Sequence, residues 1–157
     1  MISVVIPTYN RHEDLLRAIK SVFEQSKTPN ELIVIDNGSV PAITKEIFQG
    51  CPFGLSCRLF FKKRSIGEND ARNLGIFNAS GQWIMFLDDD DQFLPNKVER
   101  VSNYIKDNPN ELDLIYHPAY IWMPELNISY ISNLSDCKNL DLSKELLIRN
   151  VIGSTSF

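Results

Sequence analysis

Residues 2–7 read Ile2-Ser3-Val4-Val5-Ile6-Pro7, a short apolar run that a proline brings to an end. Four further apolar runs follow, at residues 31–36, 57–61, 82–87 and 112–116. Runs that are apolar at consecutive positions indicate strands covered on both faces, as in a parallel sheet. The opening stretch therefore predicts the first strand of a parallel β-sheet in an α/β domain.

Helical patterns lie between these runs, at residues 15–23, 71–78 and 98–105, and each places apolar side chains on one stripe of a helix. The alternating order implies right-handed crossovers and a doubly wound, mostly parallel sheet flanked by helices, as in Rossmann-like folds. Further along, residues 120–123 and 128–131 predict the strands of a short hairpin. Residues 142–148 predict another helix.

Three signals mark the predicted ends of these helices. Asn10 and Glu13 have the spacing of a capping box at the start of the first helix. Gly81 stands where a C-cap of the second helix would lie. Pro95 suits the first turn of the third helix.

The composition fits one globular domain over residues 1–157, with a formal net charge of −4. This acidic balance, with scattered basic residues, argues against nucleic acid as a partner. Cys51, Cys57 and Cys137 include no Cys-x-x-Cys pair, so we expect no zinc site. Cys51 and Cys57 could form a disulfide, but we expect free thiols in a reducing compartment. We find neither a signal-peptide pattern nor an apolar run approaching the roughly 18 residues of a membrane span. We therefore expect a cytoplasmic chain, and peripheral contact with the inner face of the membrane stays open.

Three polar clusters follow predicted strands, at Pro7-Thr8-Tyr9-Asn10, at Asp36-Asn37-Gly38-Ser39, and at Asp88-Asp89-Asp90-Asp91. Ligands of open α/β sheets bind at the carboxyl ends of the strands. If the strands are parallel, all three clusters lie at one edge of the sheet. Their convergence is more informative than any single cluster.

The four adjacent aspartates are the strongest signal. Their charges repel one another, and a hard divalent cation with oxygen ligands relieves that repulsion. In an extended segment Asp88 and Asp90 would point the same way. The alternative is a solvated charge run, the usual fate of such a sequence. Its place directly after an apolar strand favours a metal site.

The other polar residues have two interpretations each. Asp36 is either a turn residue or a carboxylate that accepts bonds from a nucleobase or sugar. Thr8 and Tyr9 either follow the end of a strand or bind a base. Gly67 is either a turn glycine or part of a ligand loop, and Arg72 is either a surface charge or the partner of a phosphate or carboxylate.

Four ordered motifs are similar to those of glycosyltransferase family 2. They are Ser3-Val4-Val5-Ile6-Pro7-Thr8-Tyr9-Asn10-Arg11, then Leu32-Ile33-Val34-Ile35-Asp36-Asn37-Gly38-Ser39, then Gly67 with Ala71-Arg72-Asn73-Leu74-Gly75-Ile76, and then Phe86-Leu87-Asp88-Asp89-Asp90-Asp91 with Pro95. The resemblance covers the whole chain in the right order and spacing. It implies the GT-A fold.

The resemblance also implies a nucleotide-sugar donor, usually carrying UDP, and Mn²⁺ or Mg²⁺ on an Asp-x-Asp motif. By position, the nucleotide-sugar site would comprise Pro7, Thr8, Tyr9, Asp36, Asn37, Gly67, Arg72, Asp88 and Asp89, and the metal would bind Asp90 and Asp88. The family inverts the anomeric centre through attack by an acceptor hydroxyl on a glycan or a lipid-linked molecule. A carboxylate base deprotonates that hydroxyl.

Two departures from the family pattern bear on these expectations. The family usually has Asp-Asp-Gly-Ser, whereas this chain has Asn37 at the second position. The catalytic base lies in the acceptor half, after a segment that residues 153–156 resemble, so we expect it beyond residue 157. We therefore expect the chain to be a fragment, a donor-binding domain without most of the acceptor side.

Other function classes fit less well. A nucleotidyltransferase would need a glycine-rich basic loop after the first strand, and an aspartyl phosphotransferase would need Asp-x-Asp there. His12 and His117 have no Ser or Cys partner that the sequence suggests, so a hydrolase triad lacks support. A non-catalytic nucleotide-sugar-binding module stays open as the alternative.

Overall fold

The computed structural model describes residues 1–109, 112–115 and 117–131. The chain divides into two compact units, residues 1–111 and residues 112–157. The prediction of a single donor-binding domain over residues 1–157 stays a prediction. The predicted helix at 142–148, the segment at 153–156 and Cys137 lie outside the described residues.

The first unit is an open parallel sheet with helices between its strands. Its strands are β1 (Ile2–Thr8), β2 (Glu31–Asp36), β3 (Ser56–Phe61) and β4 (Trp83–Phe86). They pair in parallel in the order β3-β2-β1-β4, with Thr8 opposite Asp36 and Val5 opposite Phe86. The helices are α1 (His12–Phe23), α2 (Glu68–Asn78) and α3 (Lys97–Asp107). The predicted doubly wound α/β architecture is confirmed.

Alternating side chains of the central strands enter two separate cores. Val4, Ile6, Leu32 and Val34 pack with α1 and α3, whereas Val5, Ile33 and Ile35 pack with α2. Every residue of β1 and β2 is buried, because both faces of these strands carry helices. This explains why their sequences are apolar at consecutive positions.

In the second unit, β5 (Tyr120–Met123) and β6 (Ile128–Ile131) form an antiparallel pair, so the predicted hairpin is confirmed. Residues 112–115, by contrast, form no strand, so the strand predicted at 112–116 is wrong over its described part. Asp113 and Leu114 are exposed there, so the run lacks the two-sided burial on which the prediction rested.

The three helix-end predictions are wrong. Pro95 precedes Asn96, the N-cap of α3, and so lies outside the first turn of that helix. Asn10 has a positive φ of 57°, and its Oδ1 accepts a hydrogen bond from the Val40 amide, so Arg11 is the N-cap of α1. The C-cap of α2 is Ala79. Gly81 instead allows a close approach, because a Cβ there would lie 2.6 Å from Ser3 Oγ.

A buried carboxylate joins the amino ends of the strands. Glu31 Oε2 accepts hydrogen bonds from Ser3 Oγ at 2.7 Å and from the Ser80 amide at 3.0 Å, and Oε1 lies 2.6 Å from Arg58 Nη2. Burial alone would raise the pKa of Glu31, but the bonds from Ser80 and Ser3 and the charge of Arg58 outweigh it and lower that pKa. The network therefore ties β1, β2, β3 and the end of α2 together through one anion.

We predict that Glu31→Gln lowers the free energy of unfolding by about 1–3 kcal/mol at neutral pH, because it breaks charge-assisted bonds in a buried network. The lowered pKa of Glu31 means that its contribution is present above the unfolded pKa and is lost as the pH falls through the folded pKa. Urea titrations from pH 7 to pH 3 should therefore show wild type and variant converging in acid. A difference that does not depend on pH would contradict this account.

We predict that Gly75→Ala destabilises the protein by about 1–2 kcal/mol, although alanine is the better helix former by about 1 kcal/mol. A Cβ on Gly75 would lie 2.3 Å from Cγ1 of Val5, which is fully buried in the sheet. Asn73→Ala, at an exposed position of the same helix, is the control and should be neutral or slightly stabilising. Thermal unfolding of the two variants gives the comparison.

Candidate functional site

The carboxyl ends of β1, β2 and β4 meet at one edge of the sheet. The Asn37 amide donates to the Thr8 carbonyl at 2.9 Å, and the Leu87 amide donates to the Val5 carbonyl at 3.1 Å. Across this edge, Thr8 Oγ1 donates to Asp89 Oδ2 at 2.8 Å, and both residues are buried. The structure thus brings together the three clusters that the sequence places after strands.

The acidic run is not extended. β4 ends at Phe86, and residues 89–90 form a turn. Asp89 is 5% exposed, whereas the side chain of Asp90 is 53% exposed. Asp88 and Asp90 would point the same way only in a strand, and the turn removes that geometry. One carboxylate of the run is therefore fixed inside the protein while the next is half exposed to solvent.

Two arginines pair with this run, Arg11 at the N-cap of α1 and Arg72 within α2. Arg11 Nη1 lies 3.0 Å from Asp89 Oδ1 and 2.7 Å from Asp90 Oδ2. Arg72 Nη1 lies 2.6 Å from Glu68 Oε1, and Arg72 Nη2 lies 2.5 Å from Asp88 Oδ1. Arg72 therefore lies at the acidic run rather than being a solvated surface charge.

The pKa values of both arginines follow from these contacts. The hydrogen bond to Asp89 and the charges of Asp89 and Asp90 raise the pKa of Arg11. Burial alone would lower the pKa of Arg72, but Asp88 and Glu68 outweigh it and raise that pKa. Both guanidinium groups are therefore charged at every physiological pH.

The side chain of Asp36 organises the loop that follows β2. Its Oδ1 accepts the Ser39 amide at 2.9 Å and its Oδ2 accepts the Ile43 amide at 2.8 Å, and the residue is fully buried. Gly38 within this loop has a φ of +92°, and a Cβ there would lie 2.7 Å from the backbone of Arg64. The turn interpretation of Asp36 thus describes its observed contacts, while a contact to a base stays a prediction.

Asn37 clamps the loop that precedes α2. Its Nδ2 donates to Ser65 Oγ at 3.1 Å and to the Gly67 carbonyl at 3.3 Å, and its Oδ1 accepts the Ile66 amide at 2.8 Å. Gly67 is the N-cap of α2. The departure from the family pattern at this position therefore has a structural use, because an amide both donates and accepts.

The remaining predicted residues differ in exposure. Pro7 is buried within β1, whereas Tyr9 follows the strand and is 50% exposed. An exposed tyrosine beside a polar edge provides a flat apolar surface with a polar tip. Tyr9 is therefore the one aromatic residue among the predicted ligands, and it is accessible.

Arg11 and Glu68 contribute to this edge although neither is among the predicted site residues. Arg11 bonds two of the aspartates directly. It directly follows the polar cluster of β1, and the predicted sheet edge would have brought it near the aspartates. Among the described residues, no group of three or more His, Cys, Asp or Glu side chains is arranged to hold a metal ion. Any cation at Asp90 would need further ligands from elsewhere.

The fold is similar to that of solved glycosyltransferases with the GT-A fold. S. aureus TarS residues 1–349, solved with UDP-GlcNAc, matches with a TM-score of 0.58 and 23% identity over 68% of this chain and 31% of that one. The mannosyltransferase PcManGT from Pyrobaculum calidifontis, solved with GDP-Man and Mn²⁺, matches with a TM-score of 0.54 and 22% identity over 69% of this chain and 32% of that one. The predicted GT-A fold is confirmed.

The chain belongs to glycosyltransferase family 2, because residues 3–155 match the family described as Glycosyl transferase family 2. A glycosyltransferase of Haemophilus influenzae without an assigned activity is 31% identical over 98% of this chain and 50% of that protein. The minor teichoic acid biosynthesis protein GgaB of Bacillus subtilis is 31% identical over 91% of this chain and 16% of that protein. The chain thus spans half the length of the first relative and a smaller part of the second.

We predict that Asn37→Asp destabilises the protein by about 1–3 kcal/mol, although it restores the residue more usual in the family. The new carboxylate would keep the Ile66 amide but would set an anion against the Gly67 carbonyl, where Nδ2 now donates. Urea denaturation measures the loss, and amide exchange at residues 66 and 67 should accelerate. Unchanged stability would show that the amide donors of Asn37 contribute nothing.

Proposed function

We propose that this chain forms the nucleotide-sugar-binding part of an inverting glycosyltransferase that uses Mn²⁺ or Mg²⁺. The observation that carries the proposal is the single sheet edge at which Thr8, Tyr9 and the acidic run meet. Family membership and the solved relatives that hold UDP-GlcNAc or GDP-Man with Mn²⁺ support it. A UDP-sugar is the proposed donor.

Tyr9 provides the surface on which the base would stack, beside the strand end formed by Pro7 and Thr8. The loops held by Asp36 and Asn37 would shape the walls of the base site, with Gly67 at the second loop. Asp88 and Asp89 would lie by the ribose. Because Asp89 is buried and bonded to Thr8, it would hold the acidic turn in place beneath the nucleotide.

The residues present fit a divalent cation. Magnesium-type sites use one or two carboxylates and complete their shell with substrate phosphates and water, so a cluster of three protein ligands is not required. The side chain of Asp90 is exposed, and its carboxylate oxygens are the kind of ligand that a hard cation prefers. We propose Asp90 as the principal ligand and Asp88 as the second. The cation would supply positive charge to the leaving diphosphate.

In the proposed reaction an acceptor hydroxyl attacks the anomeric carbon on the face opposite the diphosphate. The new carbon–oxygen bond forms as the bond to the diphosphate breaks, and the diphosphate leaves with the electron pair. A carboxylate takes the hydroxyl proton, and we place that base beyond residue 157. Arg72, held at Asp88, would place a positive charge beside the developing diphosphate charge.

The acceptor we propose is a glycan or a lipid-linked molecule of surface-polymer assembly. The names of two relatives support this, the teichoic acid protein GgaB and the succinoglycan biosynthesis protein ExoO of Rhizobium meliloti. No helix in the described part of the chain is long and apolar enough to cross a membrane. A cytoplasmic site with peripheral contact at the inner membrane face stays part of the proposal.

We predict that UDP binds only when Mn²⁺ or Mg²⁺ is present and that Asp90→Ala lowers its affinity about 100-fold or more, since even supporting residues of metal sites contribute 10–100-fold. Isothermal titration of UDP in MnCl₂ and in EDTA measures both effects. Asp107→Asn, at an exposed aspartate that ends α3, is the matched control and should bind as wild type. Equal binding in EDTA would refute the metal-dependent mechanism.

A non-catalytic binding module would also bind UDP in this metal-dependent way. Donor hydrolysis and sugar transfer should therefore be followed beside binding, with a longer chain that carries the acceptor side as a second sample. Transfer by the longer chain alone would identify the present chain as the donor half of an enzyme. Binding without transfer by either would favour the non-catalytic module.

A further inference from the structure

One guanidinium nitrogen bridges two of the aspartates. Arg11 Nη1 lies 3.0 Å from Asp89 Oδ1 and 2.7 Å from Asp90 Oδ2, and so carries both ion pairs. The second oxygen of Asp89 is taken by Thr8 Oγ1. The guanidinium of Arg11 therefore forms an ion pair with Asp90, the carboxylate proposed as the principal metal ligand.

The two arginines of this edge are held differently. The side chain of Arg72 is 14% exposed and its two terminal nitrogens bond to two different carboxylates. The side chain of Arg11 is 52% exposed, and the paired side chain of Asp90 is 53% exposed. The pair between Arg11 and Asp90 joins two half-exposed side chains, and such pairs contribute little net free energy. Arg11 can therefore leave Asp90 at small cost while it keeps its bond to the buried Asp89, whereas Arg72 is fixed.

Arg11 and a divalent cation compete for the same carboxylate oxygens. A cation on Asp90 would also experience the repulsion of a guanidinium a few ångströms away. The diphosphate of a nucleotide offers that guanidinium another partner, because guanidinium groups bind phosphate oxygens in pairs of parallel hydrogen bonds. Binding of the cation and of the nucleotide would then favour each other.

We propose that Arg11 is the resident counter-charge of Asp90, that a divalent cation displaces it, and that the diphosphate of the incoming nucleotide accepts the displaced guanidinium. This inference rests on the proposed function for its second half. Its first half, the competition at Asp90, concerns only this chain and a metal ion. Arg11 is thus a positioning residue that couples the occupancy of the metal site to that of the donor site.

The test is a titration of MnCl₂ followed by electron paramagnetic resonance of the free ion, with and without UDP. Arg11→Met removes the charge and keeps an unbranched stem, and Arg11→Lys keeps the charge. Without UDP we expect Arg11→Met to bind Mn²⁺ about tenfold more tightly than wild type, because a repelling charge is gone. Arg11→Lys should stay within about threefold of wild type.

With UDP, wild type should bind Mn²⁺ at least about tenfold more tightly than without UDP, because the coupling between two sites is reciprocal. In Arg11→Met this gain in Mn²⁺ affinity should be severalfold smaller, because the guanidinium that couples the two sites is gone. Arg17→Met is the matched control, since Arg17 lies within α1, the helix that Arg11 caps, and pairs with Asp14. It should behave as wild type. Thermal unfolding of each variant verifies the fold.

The outcomes separate the two proposals. If Arg11→Met binds Mn²⁺ no more tightly than wild type, or if neither chain binds it, the counter-charge role is wrong. If Arg11→Met tightens Mn²⁺ but UDP binds neither chain, competition at Asp90 stands, while the transfer to a diphosphate and the proposed function fail together. If UDP improves Mn²⁺ binding equally in both chains, the proposed function stands and the transfer of Arg11 to the diphosphate is wrong.

Discussion

The hydrogen bond between Thr8 Oγ1 and the buried carboxylate of Asp89 is the contact on which the functional edge depends. It joins the first strand to the turn after the fourth, across a sequence separation of 81 residues. A buried carboxylate is costly unless its oxygens are bonded. Thr8 and Arg11 supply those bonds, and the turn is thereby held where Asp90 faces solvent and Asp88 reaches Arg72.

Patterns of consecutive apolar residues predicted the strands well, because β1 and β2 are buried on both faces and such strands have one characteristic signature. The same pattern failed at residues 112–115, where Asp113 and Leu114 are exposed. Composition alone does not report whether a partner covers a run. The parallel order of the four strands then fixed which polar clusters meet.

Details of the edge could not be predicted, since they depend on contacts between segments distant in the sequence. Asn10 has the spacing of a helix cap, but its side chain accepts the Val40 amide, 30 residues away. The acidic run looks extended in the sequence and turns in the structure. Asn37 looked like a changed ligand and instead holds the loop before α2. The side chains of Asn10 and Asn37 each satisfy a backbone group that only the folded chain brings near, and Asp89 of the acidic run meets the side chains of Thr8 and Arg11 in the same way.

The Glu31 network gives the sheet two chemically different ends. At the amino end, both oxygens of Glu31 are engaged by side chains and backbone of the same unit, and the anion is buried. At the carboxyl end, Asp88, Asp89 and Asp90 pair with two arginines, one of which is half exposed. The bonds that hold the strands together and the exposed charged groups thus lie at opposite ends of the sheet. Substitutions in the loops at the carboxyl end can therefore change what that end binds without breaking the bonds that keep the strands aligned at the amino end.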